Sequence, residues 1–268
     1  MDRVTSGNHP IIQETRSLIS RRYKRMTLAV NREFWGTESD AANTLYVGSY
    51  GRGTAISTSD LDILASLPRS EYERFDAYSG NGQSRLLQAL KDSVRSTWPS
   101  TDIHADGQVV VVRFSDGMRF EILPAFEQSS PWQSDVTYAY PDSNMGGSWL
   151  STNPKAEQDA MREKNTSSRG LLFDTCKHIR YVHMEHFSSY HLSGILIDSF
   201  VSKAIGGWRW CEAGESSSPA GAYEQQLLDY YDQSISAGYT TLYAPGSRMT
   251  VSTKDSTCLR KVLSWMAQ

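Results

Sequence analysis

The chain has 268 residues, of which 39% are hydrophobic and 21% are charged, and its formal net charge is −3. Two modest lobes or one large domain can form at this length, and the composition is that of a globular protein. The net charge excludes a general positive field for nucleic acid. We find no metal-ligand spacing in the three cysteines, no signal peptide and no apolar run of about 18 residues, so we expect a cytoplasmic protein with no membrane segment.

A long helix is predicted over residues 10–34, where apolar side chains recur at helical spacing. A basic cluster lies on this segment and comprises Arg21, Arg22, Lys24 and Arg25. Such a cluster is either a solvated helix face or a contact for the phosphates of a polynucleotide or for an acidic partner. We treat it as a weak hint, so a nucleic-acid activator is not indicated.

Residues 44–66 predict a short strand, a turn at Gly48-Ser49, and a second strand that begins with Asp60 and Asp62. Side chains at i and i+2 of a strand share a face, so these carboxylates project together, roughly 7 Å apart at the backbone. Two such charges repel unless a cation lies between them, and hard oxygen ligands suit Mg²⁺ or Mn²⁺. The turn offers backbone N–H groups and a hydroxyl to phosphate oxygens.

A helix is predicted over 84–98, followed by a hairpin whose strands are 107–114 and 118–123, closed by Pro124. Glu121 faces away from the apolar side of the second hairpin strand. It is either a half-exposed edge residue or a third metal ligand that meets the aspartates across the sheet, and we favour the ligand.

The stretch 128–149 is aromatic and rich in glycine, which predicts a long irregular loop. The rest is expected to be mainly helical, with helices at about 154–166, 169–187, 192–206, 221–237 and 255–266. Strands thus lie in the first half and helices in the second. This pattern predicts two lobes, 1–150 and 151–268, with a cleft between them.

Three carboxylates on neighbouring strands can hold two divalent ions about 3.5–4 Å apart. One ion would activate an attacking hydroxyl, and the other would bind triphosphate oxygens and stabilise the leaving pyrophosphate. Gly48 and Ser49 would hold the β- and γ-phosphates, and a nearby Lys or Arg is expected to complete the charge balance.

Short motifs run through the chain at Gly48-Ser49, 52–56, 59–63, 120–126, 140–142, 147–149, 152–154, 177–181 and 192–194. Together they resemble the DNA-polymerase-β-like nucleotidyltransferase superfamily. The resemblance is closer to the bacterial CD-NTases, relatives of oligoadenylate synthetase and of cyclic GMP–AMP synthase. It covers nearly the whole chain.

This resemblance implies a bilobal α+β fold with a mixed-sheet catalytic lobe, a helical C-terminal lobe and a long N-terminal spine helix. It also implies a synthase that makes a cyclic di- or trinucleotide second messenger from ATP or other NTPs, with Mg²⁺ or Mn²⁺ and release of pyrophosphate. Such enzymes act in anti-phage defence (CBASS), where the product activates a downstream effector, and a CBASS accessory protein is a candidate partner.

By the match, Asp60, Asp62 and Glu121 would be the catalytic metal carboxylates. Glu121 departs from the family, which mostly has aspartate there, but glutamate is one methylene longer and can still ligate. Lys177 and Ser193 match positions that contact the triphosphate. From the residues alone, the lysine could be an ordinary surface residue and the serine a helix N-cap.

Two other functions stay open at this point: a linear transferase acting on another acceptor, and a catalytically weak homologue that senses nucleotides or scaffolds a complex. Aromatic residues that could stack on a base are Tyr50, Trp132 and Tyr140, although packing is the commoner role. His183 and His186 have helical metal-pair spacing, but no ligand set completes a zinc site. The sequence does not give the bases, ring size or linkage of the product.

Overall fold

A computed structural model describes residues 2–57, 60–130, 133–236 and 241–268. Backbone contacts divide the chain into two compact units, each considered by itself below. The sheet unit comprises Ile12–Gly51 and Thr58–Pro154. The helical unit comprises Met1–Ile11, Arg52–Ser57 and Lys155–Gln268.

The sheet unit contains both helices and strands. Its helices are α1 (Gln13–Val30), continued by a π-helical turn at Asn31–Trp35, α2 (Gly48–Gly51), α3 (Arg69–Asp76) and α4 (Gly82–Thr97), with a 3-10 turn at Asn144–Gly146. Its strands are β1 (Thr44–Tyr46), β2 (Leu61–Ser66), β3 (Asp102–Asp106), β4 (Val109–Arg113), β5 (Arg119–Ser130), β6 (Gln133–Asp142) and β7 (Ser148–Thr152).

The strands form a mixed sheet in the order β1-β2-β5-β4-β3, and β6 pairs with both β5 and β7. Among the described residues, β2 and β5 run parallel and the other pairings are antiparallel. The α+β class with a mixed sheet and a long first helix, expected from the sequence, is therefore confirmed.

Apolar alternation explains the central strands. Phe120 and Ile122 of β5 are fully buried, while Glu121 between them is only partly buried on the opposite face. Helix α4 buries the stripe that includes Leu86 and Leu90. It packs against α1, and the Ser93 hydroxyl donates a 3.0 Å hydrogen bond to the Ala29 carbonyl of that helix.

Some boundaries predicted from the sequence are wrong. The expected loop at 128–149 contains β6 and the start of β7. Val136, Tyr138 and Tyr140 alternate along β6 and pack into one small cluster, but the glycine-rich and aromatic composition of the stretch favours a loop. Strand β5 does not end at Pro124, which continues the strand opposite Ala65. Helix α3 lies between residues 66 and 84, where the sequence analysis predicts no helix, since Phe75 is the one buried residue on α3 and gives little periodic signal.

The helical unit has the predicted character. Its elements are α5 (Pro154–Ser167), α6 (Leu171–His186), α7 (Gly194–Ala204), α8 (Ala222–Tyr230), a π-helical turn at Tyr231–Ser236, and α9 (Ser256–Met266). Fully buried side chains from successive helices, such as Ile179, Phe200 and Leu259, form one apolar core. In the part of the chain that the structure describes, none of the helices has both the length and the apolar character needed to cross a membrane.

Candidate active site

The strand register places two of the predicted metal carboxylates side by side. In the parallel pair of β2 and β5, Asp62 lies opposite Glu121. Neighbouring strands lie about 4.8 Å apart, and residues paired in this way share a face of the sheet. Leu61 and Phe120, one position earlier on each strand, are both buried and so point to the other face. The two carboxylates therefore project together from the sheet.

Asp60 joins this pair from the residue before β2, two positions from Asp62 and on the same side of the chain. Arg119, at the start of β5, makes ion pairs with two of the three carboxylates. Its guanidinium nitrogens lie 3.3 Å from Asp60 Oδ2 and 2.5 Å from Glu121 Oε1. The face thus carries three acidic groups and one cation, a combination that the sequence analysis missed.

Burial and charge act in opposite directions on Glu121, whose side chain is 25% exposed. Desolvation raises the pKa of this carboxyl above its usual value, Arg119 opposes that effect, and Asp60 and Asp106 add to it. The pKa is raised on balance, so burial disfavours the ionised carboxylate more than Arg119 stabilises it.

Gly48 fits against the aspartate through the absence of a side chain. It lies at the start of α2 with a φ of +57°, in the left-handed region that favours glycine. A Cβ atom built on it would lie 1.7 Å from Asp62 Oδ2. The backbone N–H of Val47 also donates a 2.8 Å hydrogen bond to the Asp62 carbonyl. Gly48 is therefore adjacent to the Asp62 carboxylate, and Ser49 follows it in the chain.

The donor set agrees in type with a divalent cation, since carboxylate oxygens on one face are the ligands that Mg²⁺ and Mn²⁺ prefer. As the side chains stand, however, no group of three or more His, Cys, Asp or Glu residues within the described ranges is placed to bind a metal ion. Arg119 contacts Asp60 and Glu121 at that position. The carboxylates therefore match a divalent cation in ligand chemistry, while two of them are paired with Arg119.

Lys177 and Ser193 belong to the helical unit. Lys177 is partly buried on α6, and the structure gives it no hydrogen-bond or ion-pair partner among the described residues. Ser193 occupies the N-cap position of α7, but its side chain makes no capping hydrogen bond. Ser193 therefore has the N-cap position that the alternative predicts but not the capping hydrogen bond. A role in phosphate binding stays a prediction for both residues.

The motif 52–56 has a structural role that sequence reasoning missed. Arg52 is buried and forms ion pairs with Asp198, at 2.8 Å, and with Glu157, at 3.0 Å. Arg180 approaches the second oxygen of Asp198 at 2.8 Å, and the Thr54 hydroxyl donates to the first. Although complete burial opposes ionisation, these arginines hold the pKa of Asp198 below its usual value. The cluster joins segment 52–57 to the helices of its unit.

The aromatic candidates for base stacking have packing roles where they are described. Tyr50 contacts the ring of Tyr46, with the centroids 4.7 Å apart. Tyr140 packs against a small cluster around Tyr138 on the same strand. Trp132 lies outside the described residues. Both described tyrosine rings therefore pack against other side chains, which favours a packing role over base stacking.

The basic cluster on α1 is largely engaged within its own unit. Arg22 lies 2.9 Å from Asp116 Oδ2, and Lys24 lies 3.5 Å from Asp40 Oδ2. Arg25 donates to the Thr97 carbonyl. These contacts favour the solvated helix face over a dedicated phosphate surface.

The histidine pair does not converge on a metal site. His183 Nε2 lies 2.8 Å from the Tyr190 carbonyl oxygen, whereas the His186 ring packs against Trp265 at 4.3 Å between centroids.

Comparisons with known proteins identify the family. The sequence model of the Second Messenger Oligonucleotide or Dinucleotide Synthetase domain matches residues 8–165, more than half of the chain. Among curated protein sequences, none is significantly similar to this chain.

Solved structures share the fold at low sequence identity. One is the CdnE cyclic dinucleotide synthase of Elizabethkingia meningoseptica with GTP and Apcpp, at 14% identity and a TM-score of 0.65, covering 98% of this chain and 93% of that chain. Another is the Rhodothermus marinus CdnE c-UMP-AMP synthase with Apcpp and Upnpp, at 9% identity and 0.64, covering 96% and 95%. A third is CdnC of E. coli MS115-1 in complex with HORMA-deltaN, at 15% identity and 0.62, covering 96% and 84%.

The family match extends through α1, β2 and β5 and includes all three acidic residues. The structural likeness, at these identities, shows that the whole chain has the fold of such synthases. The chain therefore belongs to the second messenger oligonucleotide or dinucleotide synthetases, the bacterial CD-NTases, and is a nucleotidyltransferase.

Proposed function

We propose that this nucleotidyltransferase makes a cyclic di- or trinucleotide from ATP or other NTPs, with two divalent cations, Mg²⁺ or Mn²⁺, and release of pyrophosphate. The observation that carries the proposal is the register of β2 and β5, which pairs Asp62 with Glu121 and leaves Asp60 on the same face. Three carboxylates at one sheet face are the hard-ligand set that metal-dependent nucleotidyl transfer requires.

Within this proposal, Asp60, Asp62 and Glu121 hold the divalent cations. The bound cations would make the attacking hydroxyl more acidic and would neutralise charge on the triphosphate. Glu121 serves in place of an aspartate, and its extra methylene lets the carboxylate reach the same region from β5.

The phosphates are assigned to four residues. Gly48 lets the backbone approach the carboxylate face, and Ser49 supplies a hydroxyl beside it. Lys177 supplies a cation and Ser193 a second hydroxyl, and each of these side chains lacks a hydrogen-bonding partner among the described residues. A charge-assisted hydrogen bond from a lysine to phosphate is stronger than a neutral one.

The relatives support nucleotide substrates and a signalling role. Solved structures of similar fold contain GTP with Apcpp, or Apcpp with Upnpp. We extend this to NTP binding here, with ATP as the first substrate to test. The relative in complex with HORMA-deltaN makes an accessory protein of that type a candidate partner. The cyclic product would activate a downstream effector in cytoplasmic anti-phage defence.

The test is a product assay on the purified chain. Labelled ATP, GTP, CTP and UTP are supplied singly and in pairs with Mg²⁺ or Mn²⁺, the reaction is treated with phosphatase, and products are separated by chromatography. The proposal predicts pyrophosphate release and a phosphatase-resistant product. Products with phosphatase-sensitive ends would favour a linear transferase instead. No pyrophosphate with either metal would contradict synthesis by this chain and favour the nucleotide-sensing alternative.

A further inference from the structure

We propose that Arg119 is a built-in counter-ion of the metal site, which binds Asp60 and Glu121 when no divalent cation is present and must release them when one binds. This inference rests on the proposed function, because it assigns Arg119 a role toward the same carboxylates. It predicts that the arginine competes with the cation.

The backbone alone places Arg119 in this position. Leu61 pairs with Phe120 and Asp62 pairs with Glu121 in the parallel register of β2 and β5. Continuing the register back by one residue sets Asp60 beside Arg119. Because side chains alternate along a strand, all four polar groups lie on one face. The strand register, and not the choice of a side-chain rotamer, therefore places the Arg119 guanidinium on the acidic face.

The contacts of Arg119 are divided between two carboxylates on different strands. One terminal nitrogen lies 3.3 Å from Asp60 Oδ2, and the other lies 2.5 Å from Glu121 Oε1. The guanidinium thus bridges two of the carboxylates that would hold the metal ion. A divalent cation at these carboxylates would repel the guanidinium and compete with it for the same oxygens, so binding of the cation disfavours the arginine contacts.

Arg119 does not make all the hydrogen bonds that its guanidinium can donate. Its Nε atom is buried and has no hydrogen-bond partner among the described residues. A buried donor left without a partner is unfavourable. Its side chain is also 31% exposed, so there is solvent-accessible space into which the guanidinium can move. Both features make displacement of Arg119 by a divalent cation feasible.

Neutralising the arginine should therefore strengthen metal binding. Arg119→Gln removes the competing group and raises the negative charge of the face by one. Close charge pairs commonly couple by tenfold or more in affinity, so we expect the Kd for Mn²⁺ to fall by about tenfold. A purely structural role would give the opposite sign, because loss of a structural contact weakens a site.

The experiment measures Mn²⁺ binding by electron paramagnetic resonance on the full chain, without nucleotide. The variants are Arg119→Gln, Arg119→Lys, which keeps the charge, and Asp62→Ala, with far-UV circular dichroism to check folding. Arg113→Gln is the matched control. Arg113 lies opposite Arg119 on β4 and is paired with Asp102 at 3.6 Å, so its removal changes the net charge equally without freeing the site carboxylates.

We expect tighter Mn²⁺ binding in Arg119→Gln, near wild-type affinity in Arg119→Lys and Arg113→Gln, and loss of binding in Asp62→Ala. If wild type binds Mn²⁺ through Asp62 but Arg119→Gln binds it equally or more weakly, the inference fails and the proposed function stands. If wild type binds no Mn²⁺, or if Asp62→Ala binds it unchanged, the metal assignment fails and both are overturned.

Discussion

Replacing Gly48 by alanine tests whether the turn before β2 is shaped around the Asp62 carboxylate. The new methyl carbon would lie 1.7 Å from Asp62 Oδ2 and 2.5 Å from its Cγ atom. Carbon atoms in ordinary contact lie about 3.5–4 Å apart, so the carboxylate or the turn must shift by well over ~1 Å. The substitution therefore moves a proposed metal ligand without removing it.

Two separate costs follow from the structure. At the Gly48 φ of +57°, a residue with a Cβ atom loses roughly 1–2 kcal/mol of stability. Displacing a catalytic group by ~1 Å can cost about a hundredfold in rate. We therefore expect Gly48→Ala to fold, with a free energy of unfolding lower by about 1–2 kcal/mol, and to turn over NTPs at least about a hundredfold more slowly.

Gly36→Ala is the matched control, because Gly36 has a φ of +62° and a Cβ atom there would meet nothing within 4 Å. It should lose similar stability in urea unfolding but keep wild-type pyrophosphate release. The reasoning is refuted if Gly48→Ala turns over as fast as Gly36→Ala, or if both lose activity to the same extent.

The remaining predictions concern the helical unit. Asp198→Asn removes the carboxylate that Arg180 pairs with and leaves Arg52 with its ion pair to Glu157, so it should lower the free energy of unfolding by about 3–5 kcal/mol in urea titrations. An unchanged free energy of unfolding would contradict this. The pKa of Asp198 is lower in the folded state than in the unfolded state. Its contribution to the free energy of unfolding is therefore complete above the unfolded pKa of about 3.9 and is lost as the pH falls through the folded pKa. Wild type should show this loss of stability, and Asp198→Asn should not. Exposed Cys211 should react with a thiol reagent in the native protein before Cys176 and Cys258, whose pKa values burial raises, and equal rates would contradict the packing. Lys177→Ala should raise KM for NTP about tenfold, because one charge-assisted contact is lost, and should leave the free energy of unfolding unchanged within about 0.5 kcal/mol. An unchanged KM would show that Lys177 does not belong to the site.

Local patterns were sufficient to predict much of the fold and the acidic face. The alternation around Phe120 and Ile122 places Glu121 on the opposite face from the core, and the spacing of Asp60 and Asp62 places those two together. These features depend on the period of a strand, which is written in consecutive residues. Helical periodicity likewise indicated the helices that form the C-terminal core.

The missed features depend on contacts between distant residues. Arg52 finds its partner in Asp198, 146 positions later, and nothing in the local sequence distinguishes it from a surface arginine. The position of Arg119 beside the acidic residues depends on the register of β2 against β5, and a parallel pairing cannot be predicted from either strand alone. Strand β6 is a different case, because Val136, Tyr138 and Tyr140 alternate along it, but the glycine-rich and aromatic composition of 128–149 favoured a loop.

The central claim is that Asp60 and Asp62 carry the chemistry of nucleotidyl transfer. The most direct test is pyrophosphate release, with detection of phosphatase-resistant product, by the double variant Asp60→Ala/Asp62→Ala. Asp40→Ala serves as the control, because Asp40 is a half-exposed aspartate of the same unit that pairs with Lys24, at 3.5 Å, rather than with Arg119. We predict at least about a thousandfold loss in the double variant, given that metal ions contribute several kcal/mol, with an intact circular dichroism spectrum and full activity in the control. Retained turnover in the folded double variant would contradict the account.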